Sequence, residues 1–357
     1  MPDDQVFGMG DDPLAAPTWP ALTEDEIARA VAATWGGSCA AVEWRGARPL
    51  SSTVGVRTDD GERLVVKRMP VRLRDGVALA EEHRFMAHLR GHGIPVPEVL
   101  ATVGDRFVYE VHRAGVGEDR YRADFSWTPY RDTDDAVAAG VMLGRLHSAA
   151  QGFDAPARPA RPLVASLHGG VLGAFEWHIA RRPAVARFLS ERNWRAEVPD
   201  LHVGLADVAP LWTHGDWHGT NLLWDDHEVS SVIDFGLADR TTAVFDLATA
   251  IERTAVDWIS LRDGGPADVR ADQITALIQG YRSARPLSAT EQSLLPNLLP
   301  LAHIGYELSE IDYFLTIAKD PRNAEIAYRD WLLGHLRWYE TAEGRELRDV
   351  IRDASLR

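Results

Sequence analysis

Residues 212–236 read Trp-Thr-His-Gly-Asp-Trp-His-Gly-Thr-Asn-Leu-Leu-Trp-Asp-Asp-His-Glu-Val-Ser-Ser-Val-Ile-Asp-Phe-Gly. Three polar side chains here have the types and spacing of reactive groups. Asp216 stands in a loop marked by Gly215 and Gly219, and Asn221 comes just ahead of Leu222-Leu223-Trp224. Asp234 ends the apolar run Val232-Ile233 and precedes Phe235-Gly236. Phosphoryl transfer from a nucleotide to a hydroxyl needs such a set. One carboxylate orients the attacking hydroxyl and accepts its proton; an amide oxygen and a second carboxylate hold Mg2+ against the phosphates. A competing reading makes His214, Asp216 and His218 a zinc site, because His at i and i+4 share a helix face, but the two glycines argue for a loop. A simple Asp turn would leave Asn221 and Asp234 unexplained.

His214-Gly215-Asp216-Trp217-His218-Gly219-Thr220-Asn221 together with Ile233-Asp234-Phe235-Gly236 resembles the aminoglycoside phosphotransferase (APH) family of small-molecule kinases. That family shares the protein-kinase-like fold and carries H-G-D-x-x-x-x-N where protein kinases have H-R-D. Ala238-Asp239-Arg240 and Phe245-Asp246-Leu247-Ala248 are similar to the segment after its metal loop. Leu143-Gly144-Arg145-Leu146-His147 is similar to its helix ending L-x-x-L-H, where His147 reads as structural. The resemblance spans residues 45–340, strongest over 212–250.

The resemblance implies an α+β, two-lobed fold: a mostly antiparallel N-terminal sheet lobe with one crossing helix, and a larger, mainly helical C-terminal lobe. Asp216 would be the catalytic base, and Asn221 and Asp234 the Mg2+ ligands. ATP, or GTP, would be co-substrate, with direct in-line transfer to a small-molecule hydroxyl. The family also requires a Lys on the third strand, paired with a helix Glu, to hold the phosphates. Lys67 ends Leu64-Val65-Val66, and Glu82 rather than Glu81 has Met86 and Leu89 at the family's offsets. Arg48 to Gly55 occupies the place of the nucleotide-covering loop without its G-x-G-x-x-G spacing; Ser51 and Ser52 could donate to phosphate oxygens. Tyr109-Glu110-Val111 falls where the hinge would receive the adenine.

The expected acceptor is an aminoglycoside or amino sugar; the alternatives are an amino alcohol or sugar, as in choline or homoserine kinases, or a catalytically silent nucleotide-binding module. A protein substrate is disfavoured by His-Gly-Asp and the lack of A-P-E after the metal loop. Helical spacing puts Glu307 and Glu310 on one face with Asp312 near its edge, beside Tyr306 and Tyr313. These could line an amine pocket, or form a solvated acidic face over a core stripe. Trp217, Trp177, Trp194 and Trp331 could stack on a sugar or fill the core; Trp217 is the nearest to Asp216 in sequence.

The elements that must hold these residues are partly readable. Thr23 and Glu26 have capping-box spacing ahead of Ile27, Val31 and Trp35. Residues 53–57 and 63–68 flank Asp59-Asp60-Gly61, a hairpin signal, and residues 77–90 read as a helix stopped by Gly91, Gly93 and Pro95. A second hairpin is expected around Gly104-Asp105. Asp132 or Thr133 can cap a helix to about Ala150, and residues 175–192 read as another single helix. Asp246 can cap a helix over 247–261, and residues 271–284, 288–318 and 323–341 read as helical. The expected division is 1–40, an irregular arm and a helix; 41–111, the nucleotide lobe; and 112–357, the catalytic and acceptor lobe, with Gly115 and Gly117 loosening the boundary.

Composition narrows the partners. The 357 residues hold 53 acidic and 38 basic side chains, a formal charge of −15. No Lys/Arg-rich run offers a footprint for nucleic acid or an anionic membrane. Only Lys67 and Lys319 are lysines, so a Lys ending an apolar strand stands out in an arginine-rich chain. One cysteine, Cys39, excludes an intrachain disulfide framework. No apolar leader follows the acidic N-terminus, and no stretch matches a bilayer span, so the expected place is the cytoplasm. Oligomeric state has no signal.

Overall fold

The computed structural model describes residues 5–6, 19–46, 51–104, 107–160, 170–199, 208–262 and 265–356. The strands are β1 (Gln5–Val6), β2 (Cys39–Gly46), β3 (Ser52–Thr58), β4 (Arg63–Pro70), β5 (Val99–Gly104), β6 (Phe107–Arg113), β7 (Leu211–Thr213), β8 (Leu222–Asp225), β9 (Glu228–Val232) and β10 (Asp239–Thr241). The helices are α1 (Glu24–Thr34), α2 (Gly76–Gly91), α3 (Thr133–Ala149), α4 (Gly170–Arg181), α5 (Pro183–Ser190), α6 (Trp194–Glu197), α7 (Ala243–Thr254), α8 (Trp258–Arg262), α9 (Ala271–Ala284), α10 (Ala289–Tyr313), α11 (Pro321–Ile326), α12 (Leu333–Trp338) and α13 (Ala342–Leu356). Two compact units result: Met1–Ser126 with Thr220–Ile233, and Trp127–Gly219 with Asp234–Arg357. The first is the expected sheet with helices, the second mainly helical. No helix among the described residues is long and apolar enough to cross a membrane.

In the first unit the sheet order is β1-β2-β3-β4-β6-β5. All pairings are antiparallel except β1 with β2; β1 falls in the arm read as irregular. Side chains alternate between the two faces of a strand. Val54, Val56, Leu64, Val66 and Val111 therefore point one way, into a buried cluster with Ile27, Ala30 and Val31 of α1. Each such side chain contributes about 1.5–3 kcal/mol by leaving water. Met69 and Val108 point the other way and pack on Leu79 of α2. Thr23 caps α1 with the full capping box, because the Glu26 side chain returns to the Thr23 N–H. The glycines at 115 and 117 are places of close approach to the β8–β9 hairpin: a Cβ on Gly117 would lie 2.0 Å from Ser230 Oγ.

In the second unit, α3 and α9 cross with their backbones nearly touching. A Cβ on Gly140 would sit 2.1 Å from the Leu277 carbonyl oxygen, and one on Gly280 2.2 Å from that of Val137. This contact sets His147 of α3 against Tyr281 of α9. Two sequence expectations change here, and a third holds. Residues 175–192 are not one helix, because Pro183 lacks an N–H and starts a new one. The helix after the metal loop starts earlier than expected: Thr242 caps it, and Asp246 lies buried in its first turn. The stretch 288–318 is helical as expected: α10 runs through Pro296 and Pro300 and is followed by a π-helical turn at Phe314–Ala318.

Replacing Gly140 by Ala adds helix propensity but drives a methyl into the α9 backbone. We expect a net loss of about 1–3 kcal/mol, read from the urea midpoint; an unchanged or raised midpoint would show that the crossing can relax.

Candidate active site

In the second unit, two short strands hold the two motif loops. β7 pairs antiparallel with β10, Thr213 facing Asp239 and Leu211 facing Thr241. The Thr213 and Thr241 hydroxyls lie 2.6 Å apart across the pair. The segment beginning at His214 leaves one strand, and the segment from Asp234 enters the other. Asp246, fully buried on α7, joins them to the helices. Its Oδ2 accepts the His214 N–H at 3.0 Å and its Oδ1 the Gly215 N–H at 2.8 Å. His147 Nε2 is 3.0 Å from Oδ2, and the Tyr281 hydroxyl is 2.8 Å from Nδ1. A carboxylate only accepts, so Nε2 carries the proton and the Tyr281 O–H donates to Nδ1. Burial keeps His147 below the usual histidine pKa despite the field of Asp246. The sequence presented Asp246 as a helix cap; its signal was its place in Phe245-Asp246-Leu247-Ala248.

The loop so held presents Asp216. Gly215 adopts φ +79°, and any Cβ there would lie 2.3 Å from the Leu237 carbonyl oxygen. The Asp216 N–H donates to His214 Nδ1 at 3.2 Å, and His214, Asp216 and His218 do not converge as a metal-holding group among the described residues. The Asp216 carboxylate has His218 Nε2 at 3.4 Å and Arg253 Nη2 at 3.5 Å. Burial alone would raise its pKa, but His218, Arg253 and His214 outweigh it and hold the carboxyl well below the usual range. Trp217 is fully buried, its ring edge-on to His214.

Asp234 comes next in the left-handed region, φ 58°, with its Oδ1 accepting the Gly236 N–H at 3.3 Å. A non-glycine residue there is uncommon, Asp being among the more tolerant types. Phe235 packs against the His214 ring, centroids 4.8 Å apart, so the two motif segments touch through their aromatic residues. Arg158, in the segment after α3, fastens the second segment: it donates to the carbonyls of Gly236 at 3.2 Å and Ala238 at 3.0 Å.

Arg253 is the main residue that sequence reasoning missed. It sits on α7, 3% exposed, with Tyr306 and Trp127 flanking its guanidinium at 3.9 and 4.7 Å from their ring centroids. A small recess beside it is lined by Gly215, Leu237, Thr249, Glu252 and Tyr306. Glu307 and Glu310 are buried, not a solvated face. Burial and their mutual proximity push Glu307 well up, and burial raises Glu310. Asp312 pairs instead with Arg182, at 3.0 Å.

In the first unit, Lys67 faces Glu110 across β4 and β6, next to the Met69–Val108 pair and so on the α2 side of the sheet. Burial opposes the Glu110 charge; the His83 ring 3.6 Å away and the fields of His112 and Lys67 prevail and hold its pKa at about 2. Glu82, also buried, pairs with Arg74 at 2.6 Å. Ser52 lies on the opposite, α1 side, where its hydroxyl donates to the Pro20 carbonyl at 3.0 Å and Arg68 reaches it at 3.2 Å. Ser51 Oγ is 3.2 Å from Thr53 Oγ1; Arg48, Pro49 and Leu50 lie outside the described residues. The backbones of Glu110 and Val111 pair with strands on both sides, β4 and β5. Asn221 ends a 3-10 turn before β8, buried, its carbonyl accepting the Ile233 N–H at 3.0 Å.

Residues 47–287 match the model of a phosphotransferase enzyme family. The homoserine kinase of Methylobacillus flagellatus is 29% identical over 267 residues, 70% of this chain and 74% of that one. That of Polaromonas naphthalenivorans is 26% identical over 289 residues, 75% and 79% of the two chains. Among solved structures, an amicoumacin kinase in complex with AMP-PNP, Ca2+ and Ami aligns with TM-score 0.56 at 14% identity, covering 92% of this chain and 94% of that one. A macrolide 2'-phosphotransferase type I aligns with TM-score 0.54 at 17% identity, covering 88% and 99%. At these identities the structural likeness is one of fold.

Asp246→Asn would replace one acceptor oxygen by an NH2 facing a backbone N–H or the His147 N–H. Its expected cost is about 1–3 kcal/mol of stability, measured by urea denaturation; wild-type stability would count against the clamp.

Proposed function

The chain belongs to the phosphotransferase enzyme family and is a small-molecule kinase, and from that premise we propose that it transfers the γ-phosphoryl group of ATP or GTP to a hydroxyl of a small amino-alcohol acceptor. The observation that carries this reading is the Asp216 carboxylate, kept ionised by His218 and Arg253 on a loop anchored by Asp246. Asp216 orients the acceptor hydroxyl and takes its proton as the phosphoryl group departs. A strongly acidic carboxyl is suited to a loose transition state, in which the hydroxyl gains acidity only as the bond to phosphorus forms. Lys67, facing Glu110 and on the face that α2 covers, serves the phosphates, with Glu82 as support. Ser51 is the better placed of the two serines to donate to them, since the Ser52 hydroxyl is used on the α1 side.

The carboxylate of Asp234 and the amide oxygen of Asn221 are hard oxygen donors, which suits Mg2+. The left-handed backbone of Asp234 supports this assignment, because such strain persists where a side chain must be aimed. The metal would neutralise charge on the phosphates. The first unit would carry the nucleotide, and the second the base and the acceptor.

For the acceptor, two observations favour the amino-alcohol alternative over an aminoglycoside. Curated relatives that match most of the chain, those of Methylobacillus flagellatus and Polaromonas naphthalenivorans among them, are homoserine kinases. Glu307 and Glu310 are buried rather than set out on an open acidic face, and burial opposes their charge, which disfavours them as the lining for a polycationic sugar.

ADP and GDP release with Mg2+ would be followed over homoserine, choline, neutral sugars, amino sugars and aminoglycosides. We expect turnover with the small amino alcohols and a loss of about 100-fold or more in Asp216→Asn. Retained turnover in that variant would remove Asp216 as base; preference for aminoglycosides would overturn the acceptor; nucleotide binding without turnover of any acceptor would favour a silent module. The pH profile adds a second check. With its pKa lowered, Asp216 stays ionised and kcat should show no acid limb from it between pH 5 and 8. Arg253→Gln removes a positive neighbour, raises that pKa, and should move an acid limb to higher pH; an unmoved profile would separate Arg253 from Asp216.

A further inference from the structure

Arg253 is buried, permanently charged, and makes no hydrogen bond among the described residues. Its nearest carboxylate oxygens are Asp216 Oδ1 at 3.5 Å and Glu252 Oε2 at 4.0 Å, ion-pair distances without hydrogen-bond geometry. Its Nε is among the buried polar atoms without a partner. Its guanidinium carbon lies over the rings of Tyr306 and Trp127, and a ring face is a poor substitute for a hydrogen-bond acceptor. Glu252 is engaged elsewhere, with Oε1 3.1 Å from His303 Nδ1, while His303 Nε2 is 3.0 Å from the Trp331 carbonyl oxygen.

A guanidinium offers five donors in a plane and cannot lose its charge. Leaving such donors unmet inside a protein is costly. Arg253 lines the recess together with Gly215 and Tyr306, beside Asp216. The group that would satisfy those donors is a planar oxyanion, for which the guanidinium fork is shaped.

We propose that Arg253 binds a carboxylate of the acceptor, so that the enzyme selects hydroxy compounds bearing both a carboxylate and the hydroxyl presented to Asp216. This deepens the phosphoryl-transfer reading and rests on it. The acceptor class is then a short hydroxy-acid or hydroxy-amino acid, its carboxylate anchored beside Tyr306 and its hydroxyl directed at Asp216. The transferred phosphoryl group is the other oxyanion source near a catalytic base, and it would make Arg253 serve every acceptor alike.

The test compares homoserine with 3-aminopropan-1-ol, which keeps the amine and hydroxyl but lacks the carboxylate. Wild type is expected to prefer homoserine by roughly 100-fold in kcat/KM, the effect of one charged hydrogen-bonding partner. In Arg253→Gln the preference should collapse to a few-fold, chiefly through the KM for homoserine, with Arg253→Lys in between. Equal losses for both acceptors would overturn the proposal in favour of the phosphoryl group, and so would a wild type indifferent to the carboxylate. Thermal-shift titrations with the same two compounds make the two readings separable. Stabilisation by homoserine, absent with the amine and lost in Arg253→Gln, would uphold the carboxylate site even without turnover. No turnover and no differential stabilisation would overturn both.

Discussion

The buried carboxylate of Asp246 is the interaction on which the second unit's chemistry depends. Two backbone N–H groups of the loop converge on it, His214 and Gly215, together with the imidazole of His147. A buried carboxylate is tolerable only when its oxygens are filled with donors, so the requirement works both ways. The loop is held because Asp246 needs donors, and Asp246 can be buried because the loop supplies them. The glycine-lined crossing of α3 and α9 brings Tyr281 to His147 and thereby sets the tautomer that faces Asp246. Helix packing is in this way converted into the placement of a loop.

Around the Asp216 carboxylate the charges are arranged by helix α7. Asp246 and Arg253 lie seven residues apart, two turns along the same stripe. One holds the backbone of the His214–Gly215 loop, and the other lies beside the Asp216 side chain. Trp127 and Tyr306 shield the Arg253 charge from water while leaving its donors unmet. Electrostatic preorganisation of this kind needs no rearrangement at the moment of reaction.

In the first unit the sorting principle is strand alternation. Lys67 and Arg68 are adjacent in sequence, yet the two serve opposite faces. Arg68 pairs with Glu26 of α1 at 2.7 Å, while Lys67 faces Glu110 on the side of α2. Two neighbouring serines part for the same reason: Ser52 turns to α1, where Pro20 and Arg68 take up its hydroxyl. The adenine position expected at Glu110 and Val111 falls inside a strand with neighbours on both edges, which engages its backbone groups in the sheet.

Read alone, the sequence determined the reaction class, because phosphoryl transfer demands particular side-chain types at short spacings and those lie within residues 214–236. It also determined the local elements whose signals are local: the capping box at Thr23, the turn at Gly61, the helix ending at Gly91. It misjudged the helix across Pro183 and the start of α7, where the proline and the Thr242 cap were outweighed by an apolar pattern. What only the tertiary structure decided is how the reactive residues are charged and held. Asp246 meets Gly215 across 31 residues and His147 across 99, and Arg158 reaches Ala238 across 80. Nothing in the spacing of an arginine or an aspartate reveals such partners. They follow from which backbones can approach closely enough to be crossed, and from the need of each buried charge for a donor or a counter-charge wherever the packing puts it.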